Sequence, residues 1–378
     1  MNYKIIKIDS ENKNDLLRFI KSQWLFYKDN PNFVPPLISE RKELFNKKSN
    51  PLYKHADYQL FLAEDDKGDI LGRIAAIENK RHNIIHNDRV GFFGFFECID
   101  NQEVANALFD AAKEWLKSRN LDVMRGPANP TFNDEIGMLV DAFDKPPVIL
   151  MTYNPEYYLK LCQNYGFTKA KDLYAYLLNY ETFHSEKMLR MVGVIKERYK
   201  VNVRMVSFKD KRQLKKDIIT LREIYNSAWE SNWGFVKMTN EEFDYLANNL
   251  VEFGLPETTL IVEIQGEPAG FALGLPDMNQ VLIHNKSGGL LGAGLHLLTK
   301  KKKIDLIRLI VLGIKPEYRQ IGLDSVLYYS IGENAKSIGI TKGEASWILE
   351  DNEMMNRAAT QVMHGEHYKT YRIYDKSI

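Results

Sequence analysis

The sequence has little of several features that define specialised protein classes. It contains only two cysteines in 378 residues, Cys98 and Cys162, too few for a disulfide framework or a cysteine-based zinc site. Their apolar neighbours predict that both are buried as small hydrophobic groups. Lysine and arginine total 51 against 50 aspartates and glutamates, so no bulk charge draws the chain to nucleic acid or to a membrane.

Long apolar runs are also missing. No run approaches the 18 residues that a membrane-spanning helix requires, and the first residues lack the apolar region of a signal peptide. We therefore expect a cytoplasmic protein with no membrane partner. Arg81, His82 and His86 share one segment but lack the cysteine or carboxylate company of a metal site, so no metal is expected.

What is present is the pattern of a globular chain with two domains. Hydrophobic residues make up 44% and charged residues 27%, and the length favours two domains of about 150 to 200 residues. The same order of elements occurs twice: a strand, helix, hairpin, strand, long helix and further strands. The hairpin turns at residues 65–69 and 265–268 show the repeat most clearly.

This pattern predicts an α/β fold with mixed sheets, in two tandem domains of similar topology. We place the first domain at residues 1–180, a partly helical linker at residues 181–200 and the second domain at residues 201–378. Superposition of the two halves tests the repeat, since different strand orders would contradict it.

The most informative stretch is Lys315–Leu327, KPEYRQIGLDSVL, which follows a predicted strand at Ile307–Ile314 and leads into a predicted helix. A strand, a glycine-containing turn and a helix start direct several backbone N–H groups at one point, where the helix dipole adds partial positive charge. Such a turn is a site for a phosphate or diphosphate.

The stretch resembles the acyl-CoA pyrophosphate loop of the GNAT superfamily of N-acetyltransferases, and the order of elements in both halves is similar to the GNAT order. The resemblance implies that Leu312, Gly313 and Ile314 face the pantetheine arm of acetyl-CoA or another acyl-CoA. The remaining cofactor residues that it implies are Arg319, Gln320, Ile321, Gly322, Leu323, Asp324 and Ser325.

One residue departs from the family pattern. Asp324 stands where the family has a second glycine or alanine, and its carboxylate adds bulk and a negative charge beside a negative ligand. Alternatively, Asp324 is an ordinary acidic residue in the first turn of a helix. The first domain has Glu97 and Asp100 at the equivalent place, so it resembles a GNAT domain without its own cofactor loop.

Acyl transfer to an amine needs a base for the ammonium and an acid for the leaving thiolate. The family often uses a helix tyrosine as the acid, but residues 352–363 contain none, which leaves Tyr368 and Tyr371 in the last strand. By resemblance the base is Glu344, or Glu350 acting through water. Sheet packing for the tyrosines and a helix-start role for Glu350 remain open.

Two further segments carry candidate substrate residues. Asn129, Asn133 and Glu135 follow a strand and are expected at a substrate cleft between the domains, with an ordinary ordered loop as the alternative. Trp233, with Trp229 and Phe235, falls where the family covers its acceptor site, although helix-end packing explains these aromatics equally well. The lysine run at 300–303 predicts a solvated face, or contact with an anionic cofactor tail or RNA.

The resemblance makes an acyl-CoA-dependent N-acyltransferase the leading function, in the first place an acetyltransferase, acting on a small-molecule or peptide amine. A GNAT-fold binding protein without catalysis is the first alternative, favoured by Asp324 and by the missing helix tyrosine. Transfer from aminoacyl-tRNA, as in Fem-like proteins, is the second, and the near-neutral charge argues against it.

Overall fold

The computed structural model describes residues 2–228 and 232–378. The chain forms two compact units that are not simply its first and second halves. Unit 1 comprises Met1–Leu173, Val281–Lys301 and Lys369–Ile378, and unit 2 comprises Tyr174–Gln280 and Lys302–Tyr368. The predicted limits of the two repeats, at residues 180 and 201, stay a prediction.

Fifteen strands occur in the described residues. They are β1 (Tyr3–Ile8), β2 (Ala56–Asp65), β3 (Ile70–Asn79), β4 (Val90–Cys98), β5 (Val123–Gly126), β6 (Ala128–Asn129), β7 (Glu135–Ile136), β8 (Met138–Leu139), β9 (Thr168–Asn179), β10 (Val201–Met205), β11 (Thr259–Ile264), β12 (Glu267–Pro276), β13 (Leu306–Ile314), β14 (Lys342–Leu349) and β15 (Glu366–Ser377).

The α-helices of the same residues are α1 (Lys13–Phe26), α2 (Ile38–Leu44), α3 (Lys80–His86), α4 (Gln102–Lys117), α5 (Tyr157–Tyr165), α6 (Tyr180–Phe183), α7 (Glu186–Tyr199), α8 (Lys211–Ala228), α9 (Asn240–Phe253), α10 (Asn279–Leu282), α11 (Leu290–Lys300), α12 (Leu323–Ser337) and α13 (Glu353–Arg357). Helix α8 is described as far as Ala228, and residues 229–231 lie outside the described residues.

Unit 1 is built on the strand order β1-β2-β3-β4-β5, with antiparallel pairs except for the parallel pair of β4 and β5. The carboxyl-terminal part of β15 adds to β5, where Tyr374 pairs with Gly126. Helix α4 packs an apolar face, including Val104, Leu108 and Ala112, on this sheet. The buried side chains of α4, α5 and the sheet form the main core of the unit.

Unit 2 repeats the order as β10-β11-β12-β13-β14, again antiparallel except for the parallel pair of β13 and β14. Helix α12 connects these two parallel strands, as α4 connects β4 and β5. The pairing of β13 with β14 runs from Leu306–Lys342 to Leu309–Ala345. Both strands continue beyond that point, to Ile314 and Leu349, so they part there.

The predicted mixed α/β fold with two similar repeats is therefore confirmed, because both repeats have the same strand order and the same parallel pair. The sequence analysis missed helix α11, since its glycines and leucines resemble neither a strand nor a charged surface helix. It also missed α2. The predicted helix at residues 352–363 begins at Glu353 and ends in a wide helical turn at Ala358–Val362.

Candidate functional site

The turn after β13 has the geometry that the sequence predicted. A short 3-10 turn at Pro316–Tyr318 leads to Gly322, which precedes α12 and adopts a left-handed conformation with φ of 82°. The first helical bond joins the Val326 N–H to the Gly322 carbonyl at 3.4 Å. The amide groups of Leu323, Asp324 and Ser325 therefore belong to the helix start, where an anion is stabilised.

Glycine is favoured at position 322 by the backbone conformation. Its positive φ is unfavourable for residues with a side chain, while an added Cβ atom would meet only the flexible end of Ile195 on α7, at 2.8 Å. Among the described residues no N-cap side chain bonds to the start of α12, where the Asp324 carboxylate interacts with the backbone N–H groups of Ser325 and Asp324.

The remaining predicted cofactor residues surround this helix start. Leu312, Gly313 and Ile314 pair with β12, while on the β14 side the strand pairing has already ended. Gln320 and Ile321 lie in the turn. Arg319 donates hydrogen bonds to the carbonyls of Ala228, at 2.8 Å, and Ile314, at 3.5 Å, so its guanidinium group braces the turn.

Asp324 is unfavourable for the binding of an anion at this helix start. Burial raises the pKa of its carboxyl above the usual range, and the neighbouring backbone N–H groups of Ser325 and Asp324 offset this only in part. A raised pKa means that the protein destabilises the charged form even before a negative ligand arrives. The binding of a diphosphate at this turn stays a prediction, and the Asp324 carboxylate opposes it.

The corresponding place in unit 1 is occupied by the protein's own side chains. The Asn101 side chain caps α4 by accepting the Val104 N–H at 3.1 Å. Glu97 is buried and accepts hydrogen bonds from Gln23 at 2.9 Å and Tyr158 at 2.9 Å. Burial raises the pKa of Glu97 and Arg73 opposes the shift. The expectation that the first repeat lacks its own cofactor loop stays a prediction.

A buried polar group lies where β13 and β14 part. Glu344 on β14 is fully buried, Arg308 on β13 is 2% exposed, and their side chains are 3.9 Å apart. Ser346 donates to Oε1 of Glu344 at 2.7 Å and accepts from Nε of Arg308 at 3.0 Å. The Tyr368 hydroxyl donates to Oε2 of Glu344. We call Arg308, Glu344, Ser346 and Tyr368 the Glu344 cluster.

The surroundings of the Glu344 cluster are apolar. The Arg308 guanidinium lies over the Trp347 ring, 4.5 Å from its centre. Glu344 also borders a cavity of about 50 Å³. Apart from Glu344, the cavity is lined mainly by side chains of β13, α12 and the end of β9, among them Leu178, Ile307, Leu309, Tyr328 and Ile331. A carboxylate in such surroundings is retained only with a cation and hydrogen-bond donors beside it, which Arg308, Ser346 and Tyr368 supply.

The three predicted catalytic residues lie in different surroundings. Tyr368 contacts Glu344, the residue that the sequence offered as one of two bases. Glu350 follows β14, and its backbone carbonyl accepts from Asn356 at 3.3 Å. Tyr371 is fully buried and pairs with Leu139 across β8 and β15. Because strand side chains alternate in direction, residues 368 and 371 face opposite sides of β15.

The predicted substrate residues of unit 1 make internal contacts. Asn129 accepts the backbone N–H of Phe95 at 2.6 Å, where β4 has a positive φ. Glu135 forms an ion pair with Arg41 at 2.6 Å. The Asn133 N–H donates to Thr131 at 3.1 Å. A role for these residues in substrate binding stays a prediction.

Trp233 lies in a half-buried turn after α8, and its contact with an acceptor is likewise a prediction. Trp229 lies outside the described residues.

Sequence reasoning missed Arg308 and Ser346 as members of the site. The signal for Arg308 was present, because it is the only charged residue of the apolar strand LIRLIVLGI. A charge in such a strand is stable only with a buried partner. The partner itself could not be identified from the sequence, since Glu344 lies 36 positions further on.

Within residues 2–228 and 232–378, no group of three or more histidine, cysteine, aspartate or glutamate side chains could hold a metal ion. None of the helices in the described segments is both long and apolar enough to cross a membrane.

Comparison with known proteins extends over the whole chain. No model of a protein family matches the sequence. The chain is 33% identical over 374 residues to protein YghO of Escherichia coli (strain K12), covering 97% of this chain and 94% of that protein. It is 34% identical over 378 residues to the bacterial ceramide synthase of Caulobacter vibrioides (strain NA1000 / CB15N), covering 96% and 95%.

Among solved structures, a tandem GNAT protein from the clavulanic acid biosynthesis pathway matches with a TM-score of 0.59 and 10% identity. The match covers 100% of this chain and 98% of that chain. The protein has the tandem GNAT fold, as the sequence predicted. It belongs to the family that includes YghO and the bacterial ceramide synthase of Caulobacter vibrioides.

Proposed function

We propose that this protein transfers an acyl group from acyl-CoA to an amine, and that the amine is a long-chain amino alcohol or a similar lipid. The observation that carries the proposal is the pairing of two features in unit 2. Helix α12, with Gly322 as its N-cap residue, begins after the end of β13. The Glu344 carboxylate and the Tyr368 phenol form a hydrogen-bonded pair where β13 and β14 part.

The acceptor class comes from the relatives. One relative, 34% identical along the chain, is a bacterial ceramide synthase, and a ceramide is the amide of a fatty acid with a long-chain amino alcohol. The fold supports acyl transfer in general without selecting an acceptor. The name of the relative therefore supports the lipid amine, and the experiment below tests it against small amines and peptides.

The chemistry assigns a role to each residue of the Glu344 cluster. Amide formation makes a C–N bond, breaks the thioester C–S bond and removes two protons from the ammonium. One of these ends on the thiol of CoA, and the other is released to water. Tyr368 accepts a proton from the ammonium while it passes its own to Glu344, and the pair then returns a proton to the thiolate. Arg308 and Ser346 hold the Glu344 carboxylate in position.

The test is an acceptor screen with thiol release as the readout. The panel holds long-chain amino alcohols, small amines, amino acids and peptide amino termini, each with acetyl-CoA and a long-chain acyl-CoA. We expect release with the amino alcohol. Replacing Tyr368→Phe should lower kcat on the order of a hundredfold, with CoA affinity unchanged. Tyr371→Phe is the matched control in the same strand and should retain full turnover.

Three results would contradict the proposal. A melting temperature that acyl-CoA leaves unchanged would exclude the co-substrate, because a ligand at 100 times its Kd stabilises by about 2.7 kcal/mol. Thiol release with small amines alone would exclude the lipid acceptor. Equal turnover in both phenylalanine variants would exclude Tyr368 from catalysis.

A second candidate is a GNAT-fold binding protein without catalysis. Asp324 favours it, since a carboxylate with a raised pKa beside the helix start opposes a diphosphate. This candidate predicts ligand binding but no thiol release above buffer with any acceptor in the panel.

A further inference from the structure

Helix α11 of unit 1 exposes an apolar face to solvent. Leu291 is 93% exposed and Leu298 is 88% exposed, and Leu290 and Leu295 are each 61% exposed. Positions 291, 295 and 298 are spaced by four and three residues, so these side chains share one side of the helix. Isolated exposed leucines are common on protein surfaces, but a contiguous set indicates a binding surface.

The same segment carries a strong local charge. Residues 281–303 contain five lysines, Lys286 and Lys300–Lys303, and no aspartate or glutamate. The net charge of the whole chain is only +1, so the rest of the sequence has four more acidic than basic residues. The expectation of no membrane partner relied on the missing apolar runs and on the overall charge, and the overall charge hides this local excess.

The chain before α11 is fixed to unit 1. The Trp24 indole N–H donates to the Lys286 carbonyl at 2.8 Å, and the Ile38 N–H donates to the Gly288 carbonyl at 3.0 Å. Asn285 is 2% exposed and donates to the Gly289 carbonyl at 3.0 Å. The inward side of α11 is anchored by the buried Ala293. The leucines therefore lie on the outward side of a helix whose inward side is held on unit 1.

We propose that α11 and the lysines that follow it bind the anionic surface of a lipid bilayer. Leu290, Leu291, Leu295 and Leu298 enter the boundary between headgroups and acyl chains, and Lys300–Lys303 contact the acidic headgroups. Leucines on one side of a short helix with a cluster of lysines beside them are the combination that lies in the membrane interface without spanning it.

The charge of the lysines favours an anionic bilayer over a second copy of the chain as the partner of α11. In a symmetric contact through α11 the partner surface is the same segment, which contains no aspartate or glutamate, so the lysines of each copy would find no opposite charge there. An anionic bilayer offers the opposite charge and an apolar layer together. The proposal concerns a surface outside the Glu344 cluster and holds whichever amine is the acceptor.

The first experiment measures binding of the full chain to sedimented vesicles without acyl-CoA. Vesicles of phosphatidylcholine with about a third phosphatidylglycerol should bind the wild type, more weakly as salt is raised, and pure phosphatidylcholine should bind much less. The triple variant Leu291→Gln, Leu295→Gln, Leu298→Gln should lose at least about tenfold in partition coefficient. Substituting Ile84→Gln, a 79% exposed position on α3, is the control and should change nothing.

Charge variants test the lysines separately. Replacing Lys301, Lys302 and Lys303 by glutamine should weaken binding to anionic vesicles by about fivefold per residue. Arginine at the same three positions should restore it. Because all of these side chains are exposed, the variants should melt at the wild-type temperature.

A fluorescent label locates the contact on the protein. Both native cysteines have no exposed surface, so Leu298→Cys can be labelled selectively with an environment-sensitive dye. Its emission should shift to the blue on addition of anionic vesicles, and the emission of a label at Ile84→Cys should not. Wild-type protein that fails to bind anionic vesicles at low salt would overturn the proposal, as would equal binding by the leucine variant. A wild-type dimer that the leucine substitutions dissociate, with no vesicle binding, would show instead that α11 joins two copies.

Discussion

Asp324 allows a quantitative test of the helix start as a diphosphate site. The substitution Asp324→Asn removes the charge while keeping the size of the side chain, and Asp324→Gly also removes the bulk. Two like charges about 4 Å apart repel by roughly 4 kcal/mol at an effective dielectric of 20. Since Asp324 is half-buried and salt screens part of this repulsion, we expect CoA to bind about 10- to 100-fold more tightly to either variant.

The pH dependence of CoA binding tests the same repulsion. The pKa of Asp324 is raised by burial, so its carboxyl becomes neutral at a higher pH than an ordinary aspartate. As the pH falls through this pKa, the repulsion disappears and the wild type should approach the affinity of Asp324→Asn. The ratio of the two affinities should therefore be largest above neutral pH and near one in acid. Measuring a ratio cancels the titration of CoA itself.

Calorimetry with CoA at several pH values is the assay. Gly322→Asp is the opposite perturbation: it adds a charge and a side chain at a residue with positive φ, and it should abolish binding. Glu317→Gln, an exposed acid in the same turn, is the control and should leave the affinity within about twofold. Equal CoA affinity in the wild type, Asp324→Asn and Gly322→Asp would refute the assignment of this turn as the site.

Two further predictions concern stability. Arg308→Leu leaves the Glu344 carboxylate buried without its cation and should lower the free energy of unfolding by about 3–5 kcal/mol, measured by chemical denaturation. Combining it with Glu344→Gln should recover much of the loss, and a loss under about 1 kcal/mol in the single variant would show that the pair is not desolvated. In unit 1, burial is the main cause that lowers the pKa of His82 to about 3. Between about pH 6.5 and 3 the unfolded chain therefore binds a proton that the folded protein does not bind. The free energy of unfolding should decrease as the pH is lowered through that window, and His82 should account for about 2 kcal/mol of the decrease at pH 5. His82→Phe should remove that part of the acid sensitivity, and an unchanged pH profile in the variant would contradict it.

The Glu344 cluster shows how far a sequence can lead to a site. Tyr368 and Glu344 were both identified beforehand, because a GNAT-like reaction needs a base and an acid near the end of the strands. Their contact was not foreseen, nor were Arg308 and Ser346. These four residues come from the three consecutive strands β13, β14 and β15, and strand register, which depends on tertiary packing, decides which side chains meet.

Helix α11 illustrates the reverse case. Its leucines are visible in the sequence, and a run of apolar residues ordinarily predicts burial. Only the burial of the folded chain shows that Leu291 and Leu298 are left in solvent. The lysines at 300–303 predicted a solvated face, or contact with an anionic cofactor tail or RNA, because the sequence alone did not show the exposed leucines beside them.

The sequence by itself determined the features that depend on neighbours along the chain. The turn at Lys315–Leu327 is one of them. Glycine readily adopts the left-handed conformation that Gly322 has in this turn, and the strand and helix on either side follow from local periodicity. The repeated strand order is another. The tertiary structure decided the rest: the path of β9 and β15 from one unit to the other, the environment that raises the pKa of Asp324, and the partners of Glu344. These depend on desolvation and on contacts between distant segments, which local sequence does not encode.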